Sequence, residues 1–225
     1  LARLSETQQA SVTERHLRVT LISGEPGIGK TTLVAQAARA IHATGANVLY
    51  GHCQEGLGAP YQPWSEALSQ LIEHTDETLL RQFVDDSGLA LARLVPSLAR
   101  RLAMPVPDAG SDADAERFLL LEGVARLLAF ASQQTPILLV LDDLHWVDAA
   151  SLQVLRHLVS SGKPMAVLVV GTFRESDLSR AHPLTGALAE LRREPGVDRL
   201  GLLGLDDADI LNLLANAAGH EMADD

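Results

Sequence analysis

The stretch GEPGIGKT, from Gly24 to Thr31, decides how this sequence is interpreted. It matches the pattern G-x-x-x-x-G-K-[ST] and follows the apolar run Val19–Ser23 (VTLIS). A helical pattern, Lys30–Ala43, begins at its last two residues. Glycines let backbone N–H groups turn inward around phosphate oxygens, and a helix N-terminus adds partial positive charge at the same place. The stretch therefore predicts a phosphate-binding loop between a strand and a helix.

Two side chains of this loop have specific expected roles. Lys30 should reach the β- and γ-phosphates as a point charge, and the Thr31 hydroxyl should ligate Mg²⁺. Lys30 is one of only two lysines in the chain, so its place within the motif is informative. The alternative is a glycine-rich turn that only caps a buried helix. The predicted nucleotide-binding residues are Gly24, Glu25, Pro26, Gly27, Ile28, Gly29, Lys30, Thr31 and Thr32.

Further short apolar runs alternate with helical patterns along the chain. They cover Asn47–Gly51, Ile137–Asp142, Ala166–Thr172 and, more weakly, Arg199–Leu203. Continuous apolar strands are expected where helices cover both faces of a parallel sheet. The expected helices are Lys30–Ala43, Trp64–His74, Leu89–Leu102, Ala113–Gln133, Ala149–Ser160, Pro183–Arg193 and Asp206–Ala218. This alternation predicts a doubly wound α/β fold with three layers, helices on each side of the sheet. An all-helical insert at about 64–102 precedes a Pro- and Gly-rich linker at about 105–114.

The strand Ile137–Asp142 ends in two carboxylates, those of Asp142 and Asp143. A buried strand should not end in unpaired acids without a reason, because an uncompensated buried charge is costly. Beside a phosphate-binding loop, we expect Asp142 to hold Mg²⁺ through water and Asp143 to orient or deprotonate the attacking water. The alternative is that Asp143 only caps the turn that follows.

A further candidate is Arg174, which lies at a strand end, the place where open α/β sheets bind their ligands. Arg174 follows the fourth strand and should share a rim with Lys30 and Asp142, where it would sense the γ-phosphate or stabilise charge during transfer. The alternative is a surface ion pair with Glu175 or Asp177.

Other polar residues near strand ends have weaker interpretations. His52 and Glu55 either contact and orient the residues that bind the ligand, or they are ordinary residues at the edge of the sheet beside a buried Cys53. His145 and Trp146 either pack the loop after Asp143 or contact a partner. The histidine spacing argues against a zinc site, and the absence of G-x-S-x-G argues against serine hydrolase chemistry.

Composition excludes several classes of protein. The 225 residues are 47% hydrophobic and 21% charged, which is typical of a globular chain. The net charge of −11 argues against a broad nucleic-acid surface. No apolar run reaches the ~18 residues of a membrane span, and the polar, mixed first segment does not resemble a signal peptide, so we expect none. A single cysteine cannot form a disulfide within the chain, so we expect a cytoplasmic protein. The first and last residues of the sequence indicate a piece of a longer protein.

Four blocks resemble the signal-transduction ATPases with numerous domains, an AAA-related class of regulators found in large LuxR-type transcription factors. The blocks are GEPGIGKTTL, GHCQEGLGAPYQPWSEAL, LLVLDDLHWVD and VVGTFRESDLSRAHPL. The resemblance implies a five-stranded parallel sheet of the additional-strand P-loop type, with the Asp142 strand between the P-loop strand and its neighbour. It implies Mg-ATP binding and slow hydrolysis to ADP and phosphate as a switch, with Arg174 as a sensor. Asp143 stands where related ATPases often carry glutamate.

The resemblance also implies a domain organisation and a set of partners. It assigns residues 1–204 to a P-loop ATPase core and residues 205–225 to the start of a helical lid. The implied partners are nucleotide, the missing lid, sensor and effector domains, and other copies of the chain in an ATP-dependent self-association. It implies neither nucleic-acid nor membrane contact by this segment.

Three functions are therefore compared. The first is a regulatory Mg-ATP switch with weak ATPase activity, in which γ-phosphate contacts from Lys30 and Arg174 bias domain arrangement. The second is a kinase or phosphotransferase, which the Glu-Pro-Gly form of the loop and the Asp142–Asp143 pair argue against. The third is a scaffold that binds nucleotide without hydrolysing it and uses the helical insert as its working surface. The first is preferred, and the third is its alternative.

Overall fold

The computed structural model describes residues 1–56, 59–84, 86–104 and 112–204. The strands are β1 (Arg18–Ser23), β2 (Asn47–His52), β3 (Ile137–Asp142), β4 (Val167–Phe173) and β5 (Val197–Gly201). The helices are α1 (Ala2–Glu14), α2 (Lys30–His42), α3 (Gln62–His74), α4 (Glu77–Phe83), α5 (Asp86–Leu94), α6 (Pro96–Leu102), α7 (Ala113–Ala131), α8 (Ala149–Ser160) and α9 (Pro183–Leu191). A short 3-10 helix, Leu144–Trp146, follows β3.

The five strands form one sheet in the order β2-β3-β4-β1-β5, and every pairing is parallel. This confirms the predicted five-stranded parallel sheet. In that order β3 lies between β1 and β2, but β4 separates it from β1, so the phosphate-loop strand and the Asp142 strand are not adjacent. The carboxyl ends of all five strands share one edge of the sheet, as parallel strands must.

Helices cover both faces of the sheet, as the continuous apolar strands predict. Every residue of β3 and β4 is buried. Alternate residues of a strand point to opposite faces, so Val140 and Val170 pack against α2, whereas Leu139 and Val169 belong to the larger core on the other face. The three-layer α/β/α arrangement is therefore built from two separate hydrophobic cores.

The edge of the sheet at β2 is covered by α3. The Gln70 side chain both donates to the Tyr50 carbonyl at 2.8 Å and accepts from the Tyr50 N–H at 3.0 Å. One turn earlier in α3, Glu66 accepts from the His52 N–H at 3.0 Å. Because an uncovered edge strand offers unpaired backbone groups to other chains, α3 protects this edge while holding the end of β2 in place.

Some expectations about elements are corrected. The helix expected over Leu89–Leu102 is two helices, α5 and α6, because Val95 precedes Pro96 and is excluded from helical geometry. Helices α1 and α4 were not predicted, and β5 begins and ends two residues earlier than expected. The lid at 205–225, with the helix Asp206–Ala218, and residues 105–111 of the linker lie outside the described residues. None of the described helices is both long and apolar enough to cross a membrane.

Candidate nucleotide-binding site

The loop between β1 and α2 has the backbone that the glycine pattern predicts. Gly27 and Gly29 have φ angles of 77° and 97°, in the left-handed region that favours glycine. Gly29 immediately precedes α2, and no described side chain caps that helix N-terminus. Uncapped N–H groups and the helix dipole make this end of α2 suited to an anion such as phosphate.

Lys30 lies folded over this loop. Its side-chain ammonium donates to the carbonyl oxygens of Gly24, at 2.7 Å, and Glu25, at 3.0 Å. Lys30 is buried, and this burial lowers its pKa, with a further contribution from the positive charge of Arg174. Thr31 follows, exposed in the first turn of α2. Other loop residues, Glu25, Pro26 and Thr32, are also exposed.

Asp142 is 4% exposed and is held by two hydroxyl groups. Tyr50 donates from Oη to Asp142 Oδ2 at 2.8 Å, and Thr172 donates from Oγ1 to Asp142 Oδ1. Burial and the hydrogen bond to Asp142 raise the pKa of Tyr50. The two hydrogen bonds orient the Asp142 carboxylate through its neighbours from β2 and β4.

Asp143 adopts a backbone conformation that is unusual for a residue with a side chain. Its φ of 58° lies in the left-handed region, and its N–H donates to Thr172 Oγ1 at 3.0 Å. Although Asp143 immediately precedes the 3-10 helix, its side chain makes no capping hydrogen bond. This observation argues against the alternative that Asp143 only caps the turn.

The arrangement fits a hard divalent cation. Ligand atoms of His52, Asp142 and Asp143 lie within 4.8 Å of one another. Mg²⁺ prefers oxygen ligands and usually keeps several waters, so the carboxylate oxygens at this strand end are of the right chemical type for it. The structure thus places His52, which the sequence left undecided, beside the carboxylates.

The structure shows for Arg174 the ion pair that the sequence offered as the alternative, and its role towards a γ-phosphate stays a prediction. Its guanidinium lies 3.6 Å from Asp177, as an ion pair would require, while Glu175 instead contacts Arg199 at 2.6 Å. Burial lowers the pKa of His145, as it does that of Lys30, and the charge of Arg174 contributes to the lowering of both. Arg174 is therefore on the same rim as the loop and the acidic strand end.

Two polar contacts to Asp142 were not predicted from the sequence. Tyr50 belongs to β2 and Thr172 to β4. Like Asp142, each occupies a strand position whose side chain points to the face of the sheet that α2 covers. The register pairs His52 with Asp142 and Gly171 with Leu141, which brings Thr172 next to Asp142. Strand parity points all three side chains to one face, but the sheet order needed to bring them together is not visible in the sequence.

The parallel sheet, the glycine loop before α2 and the acidic end of β3 define a P-loop nucleoside triphosphatase fold. The family described as AAA ATPase domain matches residues 1–170. The chain belongs to this AAA ATPase domain family. No curated protein matches the sequence.

Solved structures with similar folds include ATPases from two archaea. A Walker-type ATPase of Pyrococcus abyssi is 12% identical with a TM-score of 0.51, and the match covers 95% of this chain and 56% of that chain. A signal transduction ATPase with numerous domains and a tetratricopeptide repeat sensor, from Pyrococcus horikoshii, is 16% identical with a TM-score of 0.41, covering 90% and 23%. At 12% identity, the similarity to the Pyrococcus abyssi protein concerns the fold alone. This chain spans about half the length of the Pyrococcus abyssi protein.

Proposed function

We propose that this chain is the Mg-ATP-binding module of a larger signalling or transcriptional regulator, in which slow ATP hydrolysis acts as a switch. The observation that carries the proposal is the shared rim of Lys30, Asp142, Asp143 and Arg174, whose charges act on one another beside an uncapped helix N-terminus. Membership of the AAA ATPase domain family supports nucleotide binding.

Each residue of the rim has a distinct proposed role. Lys30 and the N–H groups of the loop bind the phosphates, and Arg174 contacts the γ-phosphate. Thr31 and Asp142 hold Mg²⁺, which when bound neutralises charge on the phosphate oxygens. Asp143 orients the attacking water and accepts its proton. Tyr50 and Thr172 keep the Asp142 carboxylate oriented.

The rate of hydrolysis separates this proposal from its alternative. Asp143 is one methylene shorter than the glutamate found at this place in related ATPases, so its carboxylate reaches less far towards a bound water. We therefore expect slow turnover. The shorter side chain of Asp143 also favours the alternative, a scaffold that holds intact nucleotide. Only a measurement of turnover separates the switch from the scaffold.

The first experiment titrates a fluorescent ATP analogue with Mg²⁺ into wild type, K30A and K163A, and then follows phosphate release. Lys163 is the matched control, since it is the other lysine of the chain and pairs with Glu122 at 2.7 Å near the amino end of β4. We expect K30A to weaken binding by roughly 10- to 100-fold, the effect of losing charge-assisted hydrogen bonds to phosphate, and K163A to bind as wild type does.

Two results would change the proposal, and a third would support it. Equal affinity of K30A and wild type would show that the site is assigned wrongly. Nucleotide that stays intact on the wild-type protein for many hours would favour the scaffold. Release of phosphate by wild type but not by D143N, with equal affinities, would support the switch and the role of Asp143.

We also propose that ATP binding promotes self-association, because γ-phosphate contacts at an exposed rim can bias how copies of the chain meet. Sedimentation velocity with and without Mg-ATP tests this step. A sedimentation coefficient that does not change with nucleotide would reject self-association of this chain without affecting the binding site.

A further inference from the structure

The 3-10 helix after Asp143 contains a buried histidine between two carboxylates. The His145 side chain is fully buried. Its Nδ1 lies 3.7 Å from Asp143 Oδ1, and its Nε2 lies 3.6 Å from Asp177 Oδ2. Neither ring nitrogen has a hydrogen-bond partner among the described residues. The imidazole therefore fills the space between the predicted water-activating acid and a residue of the loop after β4.

Asp177 extends this contact to the predicted sensor. Its Oδ2, the same oxygen that lies near His145 Nε2, is also 3.6 Å from the Arg174 guanidinium. The contacts thus form an unbroken series from Asp143 through His145 and Asp177 to Arg174. The two ends of the series follow β3 and β4, which are neighbours in the sheet.

The backbone at His145 is also fixed by the segment that follows Asp177. His182 precedes α9, and its Nδ1 accepts from the Leu184 N–H at 3.1 Å. The other ring nitrogen of His182 therefore carries the proton and donates to the His145 carbonyl at 3.0 Å. The position of the 3-10 helix is coupled to the loop of Arg174 through both backbone and side chain.

Packing does not explain a histidine at this place. A buried polar group without hydrogen bonds is unfavourable, and an apolar side chain of similar size would fill the same space without that cost. Residues that reduce stability in this way are expected at functional sites. The ring nitrogens lie just beyond hydrogen-bond distance of both carboxylates, so a small movement of either carboxylate towards the ring would let the single N–H of a neutral imidazole bond to it at the expense of the other.

We infer that His145 is a positioning residue that couples Asp143 to Arg174 through Asp177, so that the acid and the sensor take up one joint arrangement. This inference rests on the proposed ATPase function. It concerns the placement of Asp143 and Arg174, because the His145 side chain is fully buried and cannot itself contact nucleotide.

The test combines turnover, nucleotide affinity and stability of H145L. We expect turnover to fall roughly tenfold or more, as a small displacement of a reacting group does, while affinity for the ATP analogue stays within about twofold of wild type. The melting temperature should be equal to or above that of wild type. H145N, whose amide can donate towards Asp143, should recover part of the turnover. The matched control is H157L, since His157 pairs with Glu122 at 3.4 Å, away from the rim.

Coupling is tested by the double variant H145L/D177N. If His145 acts through Asp177, the two losses of turnover should not multiply, because either change breaks the same series. Wild-type turnover in H145L, or losses that multiply, would overturn the inference. So would a fall in melting temperature that H145N reverses without recovering turnover.

A second measurement does not depend on nucleotide. In the NMR spectrum of ¹⁵N-histidine-labelled protein, the signals missing from H145L belong to His145. We expect D143N to shift the Nδ1 signal and D177N to shift the Nε2 signal. Absence of both shifts would overturn the inference even if ATP is hydrolysed. If both shifts occur but wild type neither binds nor hydrolyses ATP, the proposed function fails while the contacts of His145 stand.

Discussion

At the scale of single residues, the site is organised around a buried carboxylate that hydroxyl groups hold in place. Asp142 receives hydrogen bonds from Tyr50 and Thr172, which come from the strands on either side of β3. Donors arranged before a ligand arrives need no reorganisation when it binds. Among the described contacts, Lys30 makes no ion pair with Asp142 and donates instead to the carbonyls of Gly24 and Glu25, while Arg174 pairs with Asp177.

Removing the Tyr50 hydroxyl tests this arrangement. We expect Y50F to lower the free energy of unfolding by about 1.5–3 kcal/mol, the usual value for a hydrogen bond to a charged group. Because Asp142 loses one of its two fixed contacts, we also expect Mg²⁺ to enhance analogue binding less in Y50F than in wild type. Denaturant unfolding and titration with and without Mg²⁺ measure the two effects.

The control for Y50F is Y61F, since Tyr61 is half-buried and no described residue bonds to its hydroxyl. Y61F should behave as wild type in both measurements. If Y50F matches Y61F, the bond between Tyr50 and Asp142 contributes neither to stability nor to the cation site.

Cys53, the only cysteine, reports on the opening of the end of β2. Burial raises the pKa of its thiol to about 12, so the reactive thiolate is scarce at neutral pH. We expect the native protein to react far more slowly with an aromatic disulfide reagent than the unfolded chain does. Between pH 7 and 9 the unfolded chain should approach its maximal rate, near its ordinary pKa of about 8.5, whereas the native protein should remain slow. A native rate equal to the unfolded rate would show that this strand end is open.

At the scale of elements, the contact between β2 and α3 decides where the second strand ends. Gly51 lies so close to the start of α3 that a Cβ atom there would overlap the carbonyl group of Pro63. Gln70 and Glu66 then bind the outer backbone groups of β2. The helix and the edge strand therefore form one unit, and Tyr50 and His52 are carried on it.

The pair G51A and G186A tests this close approach. In G51A the backbone of β2 or α3 must move, so we expect a loss of about 1–3 kcal/mol of unfolding free energy, as overpacked sites show. Gly186 is exposed within α9, and a Cβ there meets nothing within 4 Å. G186A should therefore stabilise the protein by about 0.4–1 kcal/mol. Equal stabilities of the two variants in denaturant unfolding would contradict the close packing of β2 on α3.

At the scale of the whole molecule, the sheet order brings distant parts of the chain to one rim. The phosphate loop follows β1, the carboxylates follow β3, and Arg174 follows β4, which lies between them. A ligand that touches all three segments has to hold together strands that are far apart in sequence. Binding at the rim should therefore stabilise the fold as a unit.

This stabilisation has an expected size. A ligand at 100 times its dissociation constant adds about 2.7 kcal/mol to the unfolding free energy, which corresponds to roughly 5–11 °C in melting temperature for a domain of this size. We expect such a shift for wild type with Mg-ATP and a smaller one for K30A at the same concentration, about 0.4–1.4 kcal/mol, because a 10- to 100-fold weaker site is only partly saturated there. Thermal unfolding measures it. A shift of equal size in K30A would place the binding outside the phosphate loop.

The sequence by itself determined the phosphate loop, the apolar strands and the acidic end of β3, because each depends on neighbours within a few residues. It also predicted the parallel sheet, since strands that are apolar throughout need cover on both faces. Helix α1 was missed because its residues form a polar and mixed pattern, and only Leu4, Gln8 and Ser11 are buried.

The tertiary structure alone decided which side chains meet at the site. Tyr50 and Asp142 are 92 positions apart, and Thr172 lies 30 positions beyond Asp142, so their contacts depend on the order of the strands. The burial of His145 between Asp143 and Asp177 likewise depends on how the loop after β4 folds over the 3-10 helix. Local pattern sets the face to which a side chain points, but only packing between distant segments sets what it meets there.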